Sequence, residues 1–294
     1  MTLYVENERK SFFMKNKALF ALLFSSVLLT GCMDTNSEGA TEDTTAISSQ
    51  ESNTSVDSTT DSSAADEEVE EETVDYTYEV NPTHYAIQPL KAEANEKVAL
   101  LTFDDAPDKH ALDIAQILTD HDAPAIFFVN GMYLQSDEGK EALKTIHELG
   151  FEIGNHTHTH VNLQNESEEV QKEEILATSD LVEEIIGVRP RFFRAPFGTF
   201  TEYSREIVEA DGMTLMNWTL GYDWEADYRD PQALADITIT SPYLANGANI
   251  LMHDRSWTKE ALPDIIEGLR NEGYELLDSE YIQSPDRNEE STNE

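Results

Sequence analysis

A single cysteine, Cys32, stands among 294 residues, so no disulfide within the chain can hold it together. Positive charge is scarce as well. Nineteen Lys and Arg face 59 Asp and Glu, a formal net charge of -40 at pH 7. Such a surface excludes nucleic acid and disfavours anionic headgroups as partners. The excess is not confined to a tail, because residues 80–283 hold 14 basic and 38 acidic side chains. Their scatter fits an exported protein adapted to high salt or high pH better than a docking patch for a cationic partner. The N-terminal apolar run, 18–29, is too short to span a bilayer comfortably. Internal repeats are absent.

What is present begins with that run. Lys10, Lys15 and Lys17 precede it, and it ends in Leu-Thr-Gly-Cys at 29–32. A basic start, a short apolar stretch and a small-residue end describe an export signal over residues 1–31, with Met14 as an alternative start. The ending resembles a bacterial lipobox. That resemblance implies Cys32 as the lipid-modified first residue of the mature protein. The membrane would then be met only through this N-terminal lipid anchor, on its outer face. The alternative is an ordinary signal peptide with an incidental cysteine. Residues 32–79 are mostly Ser, Thr, Asp and Glu and cannot bury enough surface to order themselves, so they are expected as a disordered acidic tether. Residues 284–294 form a second polar tail. One well-cored domain remains at 80–283, expected as a monomer.

Within it, strand-like runs alternate with helical ones. Strands are predicted at 98–103, 125–129, 151–154, 213–218, 249–252 and near 274–277. Helices are predicted at 111–118, 140–149, 168–186 and 259–271. Repeated strand–helix units imply an α/β fold with a parallel sheet, open or closed into a barrel. Barrels of this kind build their sites at the C-terminal strand ends, and there the polar motifs fall.

Asp104 and Asp105 end the first strand. Neighbours on an extended chain point to opposite sides, so one carboxylate could hold a metal while the other faces water. An ordinary Asp-Asp-x-Pro turn is the alternative. His156 and His160 are four apart, a spacing that puts both rings on one face of a helical turn, with His158 pointing elsewhere. One Asp and two His can hold a divalent cation and leave an open side; two-His-one-carboxylate iron chemistry is a further reading of that set. Arg194, close to the apolar Phe192 and Phe193, needs a carboxylate partner, and Asp223 is a candidate. His253 ends an apolar strand. Trp218, Tyr222, Trp224 and Phe197 offer flat faces suited to sugar rings, or to a core.

Five stretches now stand in order: Thr-Phe-Asp-Asp-Ala-Pro at 102–107, His-Thr-His-Thr-His at 156–160, Arg-Ala-Pro-Phe-Gly at 194–198, Asp-Trp at 223–224 and Leu-Met-His at 251–253. They resemble the five motifs of the polysaccharide deacetylases, also called the NodB-homology domain or carbohydrate esterase family four. The resemblance covers roughly 95–280. It implies a distorted (β/α) barrel with an incomplete strand count and a divalent metal, commonly zinc, with other ions such as cobalt possible. It also implies hydrolysis of N-acetyl groups on GlcNAc- or MurNAc-containing glycans. By the same resemblance Asp104 is the catalytic base, and Asp105, His156 and His160 are the metal ligands. The Phe197 backbone N–H belongs to an oxyanion hole. Arg194 orients Asp104, Asp223 holds Arg194, and His253 is the general acid. Tyr222 and Trp224 would border the substrate. Two stretches depart from the pattern. Ala106 stands where the family has glycine, and 218–224 is a residue short and lacks an earlier Asp. Peptidoglycan is the expected substrate, with chitin-type oligosaccharides second. An O-acetyl xylan esterase and a non-catalytic glycan-binding lipoprotein are the rival readings.

Overall fold

Every residue of strand β3 (Val98–Ala106) is buried, so this strand is covered on both faces. It is the centre of a parallel sheet. The computed structural model describes residues 75–285. The signal, Cys32 and most of the predicted tether lie outside these residues. Tyr78 and Glu79, placed by the sequence in the polar segment, instead belong to a short hairpin of β1 (Tyr78–Val80) and β2 (Ile87–Pro89). Among the described residues, no helix is long and apolar enough to cross a membrane.

After β3 the chain alternates in units. These are α1 (Ala111–Asp120), β4 (Ala125–Val129), α2 (Asp137–Glu148), β5 (Glu152–Asn155), α3 (Glu168–Ile186) and β6 (Phe192–Phe193). They continue as α4 (Glu202–Ala210), β7 (Thr214–Leu215), α5 (Pro231–Thr240), β8 (Ala248–His253), α6 (Ser256–Asn271) and β9 (Glu275–Leu276). The strand order is β7-β6-β5-β4-β3-β8, with β9 on the start of β3, and every pair in it is parallel.

The sheet curls until its ends meet. Met216 N–H donates to Phe193 O at 2.9 Å, on the β6 side. Three residues later Thr219 N–H donates to Asn249 O at 2.9 Å, and Leu251 N–H returns a bond to Leu220 O at 2.8 Å. The segment 216–220 therefore stitches β6 to β8. This is why the predicted strand at 213–218 shrinks to Thr214–Leu215: its second half changes partner. The expected distorted α/β barrel with few strands is the observed architecture.

Period-two alternation sorts the side chains. Leu100, Ile126, Phe128, Phe192 and Met216 fill the barrel interior with Ile87 of the hairpin. Leu101, Phe103, Phe127 and Val129 face out and pack under the helices, against residues such as Ile114, Leu143 and Ile265. Local signals set the helix ends. Ser167 caps α3 by accepting from Val170 N–H, and Gly187 closes it at φ 75°.

Candidate active site

Strand ends bring the chemistry together, but the backbone there is not simply extended. The ladder between β3 and β4 shifts register between Phe103 and Ala106, and Asp105 lies at φ 62°. This turns both carboxylates to one place, against the expectation that they face apart. Asp104 Oδ2 is 3.6 Å and Asp105 Oδ1 3.9 Å from His156 Nε2. The unusual angle falls on Asp105, so the Ala106 methyl is accommodated in the core.

His156 and His160 also meet by a different route from the one predicted. No helix forms between them. Thr157 at φ 67° and His160 at φ 60° fold the loop back, leaving the two rings 5.1 Å apart. The loop is held from outside. Asn155 Oδ1 accepts Thr157 N–H at 2.8 Å, and Asn130 Nδ2 donates to His156 O at 2.6 Å. Buried Glu174, on α3, accepts both the N–H and the hydroxyl of Thr159, at 2.7 and 2.6 Å. His158 points away, against Gly131, where a Cβ would sit 2.1 Å from its Nδ1.

Asp105, His156 and His160 offer three ligand atoms that lie within 4.8 Å of one another. His160 Nε2 is 3.3 Å from Asp105 Oδ1. His156 Nδ1 lies 2.7 Å from Arg194 O. A carbonyl only accepts, so Nδ1 carries the proton and Nε2 presents its lone pair to the cluster. Burial also lowers the His156 pKa against the pull of Asp104 and favours the neutral ring. Burial opposes the charge on Asp105, yet His156, His253, His160 and Arg255 together hold its carboxyl below the ordinary range. The donor set fits a divalent cation.

Two pairs that carry protons flank this set. Arg194 is fully buried and donates from Nη1 to Asp104 Oδ1 at 2.8 Å and to Thr102 Oγ1 at 2.7 Å. Its Nη2 reaches Asn217 O and Asn249 Oδ1, both at 3.0 Å, and its plane lies 4.3 Å from the Phe128 centroid. The carboxylate partner of Arg194 is therefore Asp104. Asp223 holds His253 instead. Its Oδ1 accepts from His253 Nδ1 at 2.7 Å and its Oδ2 from the backbone N–H of His253 at 2.6 Å. Thr258 Oγ1 adds a third bond at 2.8 Å. Burial disfavours the protonated His253 ring, but the Asp223 charge and hydrogen bond outweigh it, and the pKa is raised above the ordinary histidine value.

The walls differ in part from the expected set. Phe197, 63% exposed at φ 60°, stands 5.0 Å from His160. Trp224 and Trp218 line the cleft, which encloses about 640 Å³. Tyr222 does not. Its hydroxyl bonds Ser241 at 2.7 Å and its ring packs on Tyr228, so its apolar face is spent on the core.

Several residues escaped the sequence reading. Thr102, which opens the first motif but was given no role, and Asn249, which no local pattern marks, both fix Arg194. Arg255 Nη2 reaches Asp105 Oδ2 at 2.6 Å. Asp254 accepts the backbone N–H groups of Asp108, Lys109, His110 and Ala111 at 2.6–3.0 Å, tying the loop before α1 to the end of β8. An acidic residue right after a strand-end histidine was the available signal.

The family model described as polysaccharide deacetylase matches residues 91–216. A peptidoglycan-N-acetylglucosamine deacetylase of Bacillus cereus is 33% identical over 191 residues, 61% of this chain and 68% of that protein. The chain belongs to the polysaccharide deacetylase family. Deacetylation of glycans is accordingly its class of activity. The family model ends before Asp223 and His253, which only the folded chain brings to the other motifs. A solved structure described as T48 deacetylase with substrate superposes at a TM-score of 0.57 with 28% identity, covering 63% of this deacetylase and 89% of that chain. A carbohydrate esterase family four pseudoenzyme from Bacillus anthracis superposes equally well, at 0.58 with 29% identity, covering 64% and 67%. Fold likeness therefore does not separate active from inactive members, and the case for turnover rests on the site residues.

Proposed function

We propose that this polysaccharide deacetylase is a metal-dependent hydrolase that removes N-acetyl groups from GlcNAc- or MurNAc-containing glycans, peptidoglycan first. The observation that carries the reading is the placement of two proton-carrying pairs, Arg194–Asp104 and Asp223–His253, on one cleft with the Asp105, His156 and His160 donor set. The similar Bacillus cereus protein is described as acting on peptidoglycan N-acetylglucosamine, which supports the substrate. A lipid anchor at Cys32, outside the described residues, would hold the domain on the outer membrane face, opposite the wall.

Asp105, His156 and His160 would hold the ion, zinc first and cobalt as an alternative. When bound, a divalent cation supplies Lewis acidity to a carbonyl oxygen and to water. The residues do the rest. Asp104, fixed by Arg194, takes the proton of the attacking water. The Phe197 N–H stabilises the oxyanion of the tetrahedral intermediate, a contribution of about 3 kcal/mol for one such donor. His253, charged and aligned by Asp223, gives a proton to the departing sugar amine. Acetate and a free amine are released.

The test is acetate release from N-acetylated and O-acetylated glycans by the zinc-loaded chain. Release from the N-acetylated glycan supports the reading. Release from acetylated xylan alone would convert it to an esterase.

A further inference from the structure

We propose that Arg229 binds a carboxylate carried by the glycan, beside the sugar that is deacetylated. The inference rests on the deacetylase reading above and adds what the substrate must carry. All three tryptophans of the chain, Trp218, Trp224 and Trp257, line the catalytic cleft. The rings of Trp218 and Trp224 meet edge-on at 5.8 Å, and Trp224 stands 5.8 Å from His253. Gly221 permits this approach, because a Cβ there would lie 2.7 Å from the Trp224 ring. Trp257 is fixed by its Nε1, which donates to Asp223 O at 2.8 Å. The aromatic wall is thus tied to the general-acid pair, and its faces suit sugar rings.

Arg229 lies on this wall, 5.6 Å from the Trp257 centroid, with Nη2 donating to Trp224 O at 3.1 Å. Its charge is unmatched. The chain has 59 acidic residues to 19 basic ones, and Arg189, Arg191, Arg194, Arg205 and Arg255 each reach a carboxylate, while Arg270, away from the cleft, donates to the Asp122 carbonyl. Among the described residues Arg229 reaches no carboxylate within ion-pair distance, although Glu225, Asp227 and Asp230 are close in sequence. Asp230 spends its carboxylate on the first turn of α5, accepting from Ala233 N–H at 3.0 Å. A guanidinium carries five donors in a fixed fork that matches a carboxylate, and the contact with Trp224 uses one of them.

A neutral N-acetylglucosamine polymer offers that fork hydroxyl and carbonyl acceptors but no carboxylate. An anionic glycan supplies one, either from lactyl ethers on its sugars or from attached peptides. Against so acidic a protein, an anionic substrate needs such a local counter-charge at the cleft.

The experiment measures KM by acetate release, and binding by calorimetry, on the zinc-loaded full chain and on Arg229→Ala and Arg229→Lys. Four glycans are compared: chitotetraose, peptide-free strands with lactyl carboxylates, the same strands with those carboxylates amidated, and peptide-bearing strands. Arg229→Ala is expected to raise KM on carboxylate-bearing strands about tenfold relative to chitotetraose, with kcat held, and Arg229→Lys to recover part of the loss. Where the lactyl carboxylate is the ligand, amidation should weaken the wild type to the level of Arg229→Ala. The effect on peptide-free strands identifies the lactyl group, and an effect confined to peptide-bearing strands identifies the peptide. An unchanged ratio between charged strands and chitotetraose overturns the proposal. If no glycan releases acetate, the deacetylase reading fails, and the calorimetry still decides for or against Arg229.

Discussion

Asp223 grips His253 at two points, one oxygen on the ring Nδ1 at 2.7 Å and the other on the backbone N–H of the same residue at 2.6 Å. This fixes both the ring and its protonation, and it leaves Nε2 as the proton donor to the cleft. The raised His253 pKa keeps the acid protonated to higher pH than a free histidine. Turnover should therefore fall as pH rises through that raised value. Asp223→Asn removes the charge that raises it, so the alkaline limb of kcat/KM should move to lower pH, with a lower plateau. An alkaline limb that stays in place would assign it to another group.

Arg194 gives a stability prediction as well as a kinetic one. Arg194→Met would leave Asp104 charged, buried and unpaired, at a cost of about 3–5 kcal/mol, read as a lower midpoint in urea. Arg194→Lys keeps the charge but cannot reach Asp104 and Asn249 together. It should fold, retain its metal and lose turnover by roughly ten- to a hundredfold.

Glu174 lies outside the ligand set and holds the turn between its two histidines. In Glu174→Gln an amide replaces an acceptor facing Thr159. Zinc affinity, measured by competition with a chelator, should drop about tenfold or more with unchanged circular dichroism. Unaltered affinity would mean that Asn155 and Asn130 suffice to shape the loop.

Asp254→Asn tests a support rather than a catalytic group. Four backbone N–H groups converge on that carboxylate, so weakening the cluster should cost about 3 kcal/mol and lower the melting temperature.

Much of this was legible in the sequence, and the rest has physical reasons. The strand 125–129 and the helix 168–186 are found where the pattern placed them, because a buried apolar run and a capped amphipathic helix are local signals. Strand β6, helices α4 and α5 and the hairpin escaped. A two-residue strand has no period to read, and the hairpin strands owe their burial to the barrel end they cover. Of the site residues expected within the described chain, Tyr222 stays in the core, and Arg194 lies buried behind Asp104 rather than on the cleft surface. The pairing of Arg194 with Asp104 was legible, and that of Asp223 with His253 was not. Asp223 lies 30 residues from His253 in sequence, and only the closure of β8 against 219–220 brings the two together. Likewise the histidine pair meets through two residues at positive φ, which spacing alone does not disclose.

The most direct test is mass spectrometry of glycan strands and chitooligosaccharides incubated with the zinc-loaded protein and with Asp104→Ala. The account predicts loss of acetyl groups with the wild type, and Asp104→Ala that retains zinc by elemental analysis but turns over orders of magnitude more slowly. Near-wild-type deacetylation by Asp104→Ala would contradict it.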